Sequence, residues 1–239
     1  MRLDVYLTET KSVRSRSRAK NLILMGFVNV DGEIIKKAAY EVNKNNKVEI
    51  TIDDFASLGA FKLKKALEEF DYEVAGKICM DIGASNGGFT ETLLKNGAAK
   101  VYCVDVGECA LPDYLKNDSR VAVKDKLNAR FITQSDIPEK INLIVIDVSF
   151  ISLRLIIPNM KQFLCDDGAI IALIKPQFEA TKKQLNKKGI IKSDIEARNI
   201  VDKIAEFCAL QGYKIKGQTP IPRLFEDKNP EWLIFMQIA

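Results

Sequence analysis

Apolar residues fall into short blocks separated by polar, glycine-marked breaks, and the blocks follow two rhythms. From residue 77 onward they are continuous and rich in aliphatic side chains: Ile78-Cys79-Met80, Val101-Tyr102-Cys103-Val104, Val121-Ala122-Val123, residues 141–146, 169–174, 213–218 and 232–238. Such runs predict seven strands of a mostly parallel sheet. Between them, Phe61, Ala66, Leu67 and Phe70 make one helical stripe, Phe89, Leu93 and Leu94 a second, and residues 195–210 a long helix. Before residue 53 the blocks are shorter. Leu3, Val5, Tyr6 and Leu7 open a first helix, and Leu22, Ile23 and Met25 face inward on a second that stops at Gly26. Val28-Asn29-Val30 and Glu33-Ile34-Ile35 flank Asp31-Gly32, a favoured hairpin turn, and residues 47–52 alternate as one more strand. Asp53 to Gly59 is polar and small and reads as a linker. The expected division is residues 1–58, a small α+β domain with its linker, and residues 59–239, an α/β domain.

The breaks carry the candidate chemistry. The strand ending at Asp81 runs into Gly83-Ala84-Ser85-Asn86-Gly87-Gly88 and then a helix, an arrangement in which backbone can approach a ligand closely beneath a helix N-terminus. Asp105 closes the next strand, about twenty residues on, where doubly wound folds bind a ribose hydroxyl. A dinucleotide or S-adenosylmethionine would fit that layout. The spacing is not Gly-x-Gly-x-x-Gly, and Asp81 would sit badly beside a pyrophosphate, so a cationic sulfonium ligand with an amino group suits it better. Residues 124–130 form a polar stretch expected at the carboxyl edge of the sheet, and two further strands deliver Asp147 and Lys175 to that edge.

Composition narrows the chemistry further. The chain has 239 residues and no histidine, which removes Ser-His-Asp and Cys-His catalysis and leaves proton transfer to Asp, Glu, Lys, Tyr or Cys. The five cysteines form no C-x-x-C pair and read as reduced core residues, with no metal site expected. No apolar run reaches membrane-span length and the first residues lack a signal-peptide core, so a cytoplasmic protein with no membrane association is expected. Residues 1–50 hold ten Lys/Arg against six Asp/Glu, which accounts for the whole net charge of +4. Five basic residues lie between Lys11 and Lys20 with no acid among them. Arg14, Arg16, Arg18 and Lys20 are therefore the expected contacts to a polyanion, read as RNA.

Two sets of motifs carry a family resemblance. Ser17-Arg18 and Gly26 to Gly32 resemble the small RNA-binding domain of ribosomal protein S four. Asp81-Ile82-Gly83-Ala84-Ser85, Gly87-Gly88-Phe89-Thr90, Asp105-Val106-Gly107, Asp147-Val148-Ser149-Phe150-Ile151-Ser152 and Lys175-Pro176-Gln177-Phe178-Glu179 resemble the TlyA (hemolysin A) family, which joins that domain to an FtsJ-like methyltransferase. The resemblance implies a Rossmann-like, S-adenosylmethionine-dependent fold and 2′-O-ribose methylation of ribosomal RNA, on a cytidine, with ribosomal RNA or ribosomal subunits as partner. It implies a Lys-Asp-Lys-Glu catalytic set at Lys62, Asp147, Lys175 and Glu231. The implied cofactor residues are Asp81, Gly83, Ala84, Ser85, Gly87, Gly88, Phe89, Asp105, Val106, Asn128 and Asp147. The pattern departs from the family at Leu58, where an arginine is usual, and at Lys228, where a glycine is usual. Three other readings compete: an RNA-binding or ribosome-assembly protein with an inactive methyltransferase fold, a cytolysin, and a nicotinamide enzyme.

Overall fold

The computed structural model describes residues 1–13, 15–51, 59–221 and 228–239. The chain divides into two compact units, Met1–Asp54 and Phe55–Ala239. The junction expected between residues 58 and 59 borders the stretch 52–58, so Ser57 and Leu58 lie outside the described residues.

In the first unit, α1 (Leu3–Glu9) and α2 (Arg16–Leu24) precede a three-stranded antiparallel sheet of β1 (Val28–Val30), β2 (Glu33–Ile34) and β3 (Val48–Ile50), in the order β2-β1-β3. The Ser15 hydroxyl starts α2 by accepting from the Arg18 amide at 3.2 Å. Leu3, Leu7, Ala19, Leu22, Ile23 and Val28 form the buried centre. Asp4 is buried among them and is neutralised by Arg2 and Arg16, each with Nε at 2.9 Å. Arg2 first and then Arg16 hold the Asp4 carboxyl down at about 2, as expected for a buried carboxylate gripped by guanidinium groups.

The second unit begins with α3 (Gly59–Glu69), which starts at the glycine expected to end the linker. Then follow β4 (Ile78–Ile82), α4 (Gly88–Lys95), β5 (Lys100–Val104), α5 (Asp113–Lys116), β6 (Val121–Lys124), β7 (Ile141–Ile146), α6 (Ile157–Met160), β8 (Leu164–Ile174), α7 (Pro176–Glu179), α8 (Asp194–Leu210), β9 (Tyr213–Ile221) and β10 (Glu231–Ile238). The seven strands lie in the order β6-β5-β4-β7-β8-β10-β9, and β10 alone runs against its neighbours. Alternate residues of each central strand feed opposite faces. Met80, Ile144 and Ile170 join α6 and α8 in one apolar layer, while Cys79, Leu143, Val145 and Ile171 join α3 and α4 in the other. All five cysteines are free thiols. Among the described residues, no helix is long and apolar enough to cross a membrane.

The strand order reverses direction between β4, the first strand of this sheet in chain order, and β7, to which the chain returns after laying β5 and β6 on the other side. In an open α/β sheet that position opens a crevice at the carboxyl ends of the strands. The loop 83–88 is on one side of it and Asp147 on the other.

Candidate active site

Strand register brings the site together. Ile82 pairs with Ile146 on one side and with Val104 on the other, which sets Gly83, Asp147 and Asp105 level at the ends of three adjacent strands. The Asp147 amide donates to the Ile82 carbonyl at 3.0 Å, and the Gly83 amide donates to the Val104 carbonyl at 2.8 Å. Gly83 has φ +85°, and a Cβ there would stand 2.4 Å from the Asp147 carbonyl oxygen. Close backbone approach therefore demands glycine at this position.

The Asp105 carboxylate shapes the loop above it. Oδ2 accepts from the Ser85 amide at 3.0 Å and Oδ1 from the Gly107 amide at 2.9 Å. The polar stretch after β6 folds back on the same residues, with the Leu127 amide donating to the Asp105 carbonyl at 2.9 Å and the Lys126 amide to the Gly107 carbonyl at 2.8 Å. Asp105, exposed Val106 and half-buried Asn128 thus border one rim of the crevice. Ser85 is exposed and Ala84 is buried. Two members of the expected cofactor set turn inward. Phe89 packs into the apolar layer under α4, and a Cβ on Gly87 would strike Leu111 at 2.6 Å and Leu115 at 2.8 Å. What these two offer a ligand is backbone. Gly88 is the first residue of α4.

Asp81 is fully buried beneath the loop. Its Oδ2 accepts from the Thr90 hydroxyl at 2.7 Å, and its Oδ1 is buried with no hydrogen-bond partner. Burial, with added repulsion from Asp147 and Asp105, pushes its carboxyl up to about 7. A folded-state value above the ordinary one means the native protein holds more protons than the unfolded chain between about pH 4 and about pH 7. In the absence of ligand, stability contributed at this position therefore falls as pH rises through that window. A cationic ligand has the opposite preference, since it needs the ionised carboxylate. We expect affinity for S-adenosylmethionine, measured by calorimetry, to rise up to about tenfold from pH 6 to pH 8 as Asp81 ionises, and the rise to vanish in Asp81→Asn. A flat profile in the parent would detach Asp81 from the ligand.

The four charged residues of the expected catalytic set form two ion pairs. Lys175 Nζ lies 2.6 Å from Asp147 Oδ1 and donates to the Ser149 hydroxyl at 2.9 Å. The first contact is ionic by distance without being an aligned hydrogen bond. Lys62, in the first turn of α3, lies 2.6 Å from Glu231. Trp232 pairs with Ile174 in antiparallel register, so Glu231 falls level with Lys175 although the two are far apart in sequence. The reversed strand is what returns a carboxylate to this edge.

Several contributors were not singled out by sequence reasoning, although they lie inside its two signature stretches. Glu179 accepts from the Ser152 hydroxyl at 2.5 Å and from the Leu153 amide at 2.7 Å, tying the segment after β8 to the segment after β7. Burial pushes its carboxyl upward. Phe150 has φ +65° and is 91% exposed, with its ring 5.1 Å from that of Phe178. A large aromatic held out in solvent on a strained backbone beside a lysine–aspartate pair is a contact surface rather than core. In the sequence, Phe150 is indistinguishable from an interior phenylalanine.

The basic helix of the first unit needs a correction. Arg16 does not stand uncompensated, because its Nε pairs at 2.9 Å with buried Asp4, an acid remote from it in sequence, while its side chain stays 53% exposed. Arg18 is half-buried, Lys20 is exposed, and Arg14 lies outside the described residues.

With this geometry in view, the comparisons with known proteins are decisive. Residues 55–235 match the FtsJ-like methyltransferase model, and residues 1–48 match the S4 domain model. The chain belongs to the FtsJ-like methyltransferase family. It is 39% identical to a Brachyspira hyodysenteriae protein named Hemolysin A, over 98% of each chain. It is 37% identical to the Mycobacterium tuberculosis 16S/23S rRNA (cytidine-2′-O)-methyltransferase TlyA, over 99% of this chain and 89% of that one. A solved Streptococcus thermophilus structure, provisionally named a hemolysin, superposes with a TM-score of 0.76 at 33% identity, covering 100% of this chain and 88% of that one. The seven-stranded sheet with one reversed strand is thus the methyltransferase fold expected from the sequence, attached to an S4 domain.

Proposed function

We propose that this protein transfers a methyl group from S-adenosylmethionine to the 2′-hydroxyl of a cytidine in ribosomal RNA. The observation that carries the reading is the pairing of Lys175 with Asp147 at strand ends and of Lys62, on α3, with Glu231 at the start of β10, beside the crevice that Asp81 and Asp105 border. The M. tuberculosis relative named for cytidine 2′-O-methylation supports the substrate class.

The crevice suits the cofactor. Asp105 and, once ionised, Asp81 make it electronegative, and the buried Asp81 Oδ1 lacks a donor that a ligand amino group can supply. Asp105, which already orders the loop through Ser85 and Gly107, has lone pairs left for ribose hydroxyls. Bound there, S-adenosylmethionine would supply an electrophilic methyl group. A ribose hydroxyl is a poor nucleophile near neutral pH, so the protein must align it and accept its proton. Lys175 Nζ, held by Asp147 and Ser149, is the acceptor for that proton in this reading, and Asp147 stabilises the ammonium that results. Lys62 and Glu231 hold the acceptor ribose in line. Phe150 presents its ring to the nucleotide.

Asp105→Ala should weaken cofactor binding by about 1 to 3 kcal/mol, since it removes both a ribose acceptor and the tie that shapes the loop. Calorimetric affinity equal to the parent's would argue against the assignment. The function itself is tested by incubating the protein with tritiated cofactor and purified ribosomal subunits or ribosomal RNA. Transfer of label is expected. RNA binding without transfer would instead favour an assembly protein whose methyltransferase fold is inactive.

A further inference from the structure

A second concentration of positive charge lies in the methyltransferase unit. A hollow of about 650 Å³ is lined by Asn186, Lys187, Lys188, Ile190, Lys228 and Asn229. Among the described residues, its lining contains three cations and no acid. Among the described residues, none of the three lysines is in an ion pair, whereas Lys62, Lys65, Lys95, Lys100 and Lys175 all are. Lys187, Lys188 and Lys228 are exposed.

The loop that carries Lys187 and Lys188 is ordered by its own hydrogen bonds. Asn186 Oδ1 accepts from the Lys188 amide at 2.8 Å and the Ile190 amide at 3.0 Å, and Leu185 bridges to Ile191. Asn229 then fastens this loop to the start of β10. Its Oδ1 accepts from the Ile191 amide at 2.9 Å, and its Nδ2 donates to the Gly189 carbonyl at 3.0 Å. Holding three like charges around one hollow is unfavourable unless an anion enters it. The anchor is also informative, because Asn229 stands two residues before Glu231. Lys228 and Glu231 are three residues apart, so their Cα atoms are separated by at most about 11 Å. A strand that places its ribose at Glu231 and Lys175 has its neighbouring phosphates within reach of this hollow.

We propose that Lys187, Lys188 and Lys228 form a preorganised cradle for the phosphate backbone of the RNA beside the methylated nucleotide. The assignment rests on the RNA substrate of the proposed function. It gives the methyltransferase unit its own grip on the backbone, independent of the S4 domain, and accounts for a lysine at position 228.

The test compares two full-length variants that lose the same charge. One is Lys187→Gln/Lys188→Gln/Lys228→Gln. The other is Lys95→Gln/Lys100→Gln/Lys140→Gln, whose lysines lie at the opposite, amino-terminal edge of the parallel strands. Binding to deproteinised ribosomal RNA is measured across a salt titration, alongside melting temperature and cofactor affinity. The cradle variant should lower the slope of log affinity against log salt by about 2 to 3, close to 0.7 to 0.9 per phosphate contact. The control variant should retain the parental slope, and both should keep the parental melting temperature and cofactor affinity. Acetylation footprinting of the unaltered protein should show Lys187, Lys188 and Lys228 protected by RNA. A cradle variant with the parental slope, or equal losses in the two variants, overturns the cradle alone. Protection by intact subunits but not by deproteinised RNA overturns it in favour of an acidic protein partner. Salt-independent binding by the unaltered chain overturns both the cradle and the RNA substrate on which it rests.

Discussion

Lys175→Arg is expected to bind cofactor and RNA as the parent does and to lose about 10²- to 10⁴-fold in turnover, the usual range for removing a positioned general base. Arginine preserves the positive charge beside Asp147, but its guanidinium stays protonated and cannot accept the hydroxyl proton. Of the two lysines, Lys175 is the better base on structural grounds. Its side chain is 11% exposed against 23% for Lys62, and it is held by both Asp147 and Ser149 at a strand end. Single-turnover rates across neutral pH give the readout, because they separate the chemical step from binding and product release. Parental rates in that variant would pass the proton to Lys62 or to water.

The second large effect is structural. Gly83→Ala places a methyl group 2.4 Å from the Asp147 carbonyl oxygen at a residue with φ +85°. Neither side can yield cheaply, because the β4–β7 register and the Asp147 amide bond to Ile82 hold both backbones. Overpacking costs about 1 to 3 kcal/mol and the left-handed backbone about 1 to 2 more, for a loss of about 2 to 5 kcal/mol. The movement needed to relieve it displaces Asp147 and the loop together, so cofactor binding should fall below detection. Gly107→Ala is the matched control, since a Cβ there meets nothing closer than Asp105 Oδ1 at 3.5 Å. Denaturant melts and calorimetry on the pair check this, and a Gly83→Ala protein with parental stability and affinity would mean that the crevice is not built on this contact.

Much of the site was legible because its residues punctuate the apolar runs. Asp81, Asp105, Asp147 and Lys175 each follow or close a continuous aliphatic block, and a charge at the end of a buried parallel strand has only the carboxyl edge to occupy. What was not legible depends on contacts between distant segments. Nothing local to Asn229-Pro230-Glu231 says that β10 inserts in reverse between β8 and β9, yet that insertion sets Glu231 level with Lys175. The same limit applies to Arg16, whose partner Asp4 is on another helix. The four-residue helices α5, α6 and α7 are too short to show a period. Strand β8 starts at Leu164 instead of Ala169, because Cys165-Asp166-Asp167-Gly168 reads locally as a turn. The attachment of the loop at residues 185–191 to the reacting edge through Asn229 was not legible either.

The most direct test is to locate the methyl group. Ribosomal RNA lacking the modification is incubated with the protein and cofactor bearing a deuterated methyl group, digested to nucleosides and analysed by mass spectrometry. The label is expected on the ribose of cytidine, as 2′-O-methylcytidine, from the parent, with little or none from Lys175→Arg. Label on a nucleobase, or equal ribose labelling by the two proteins, would contradict this expectation.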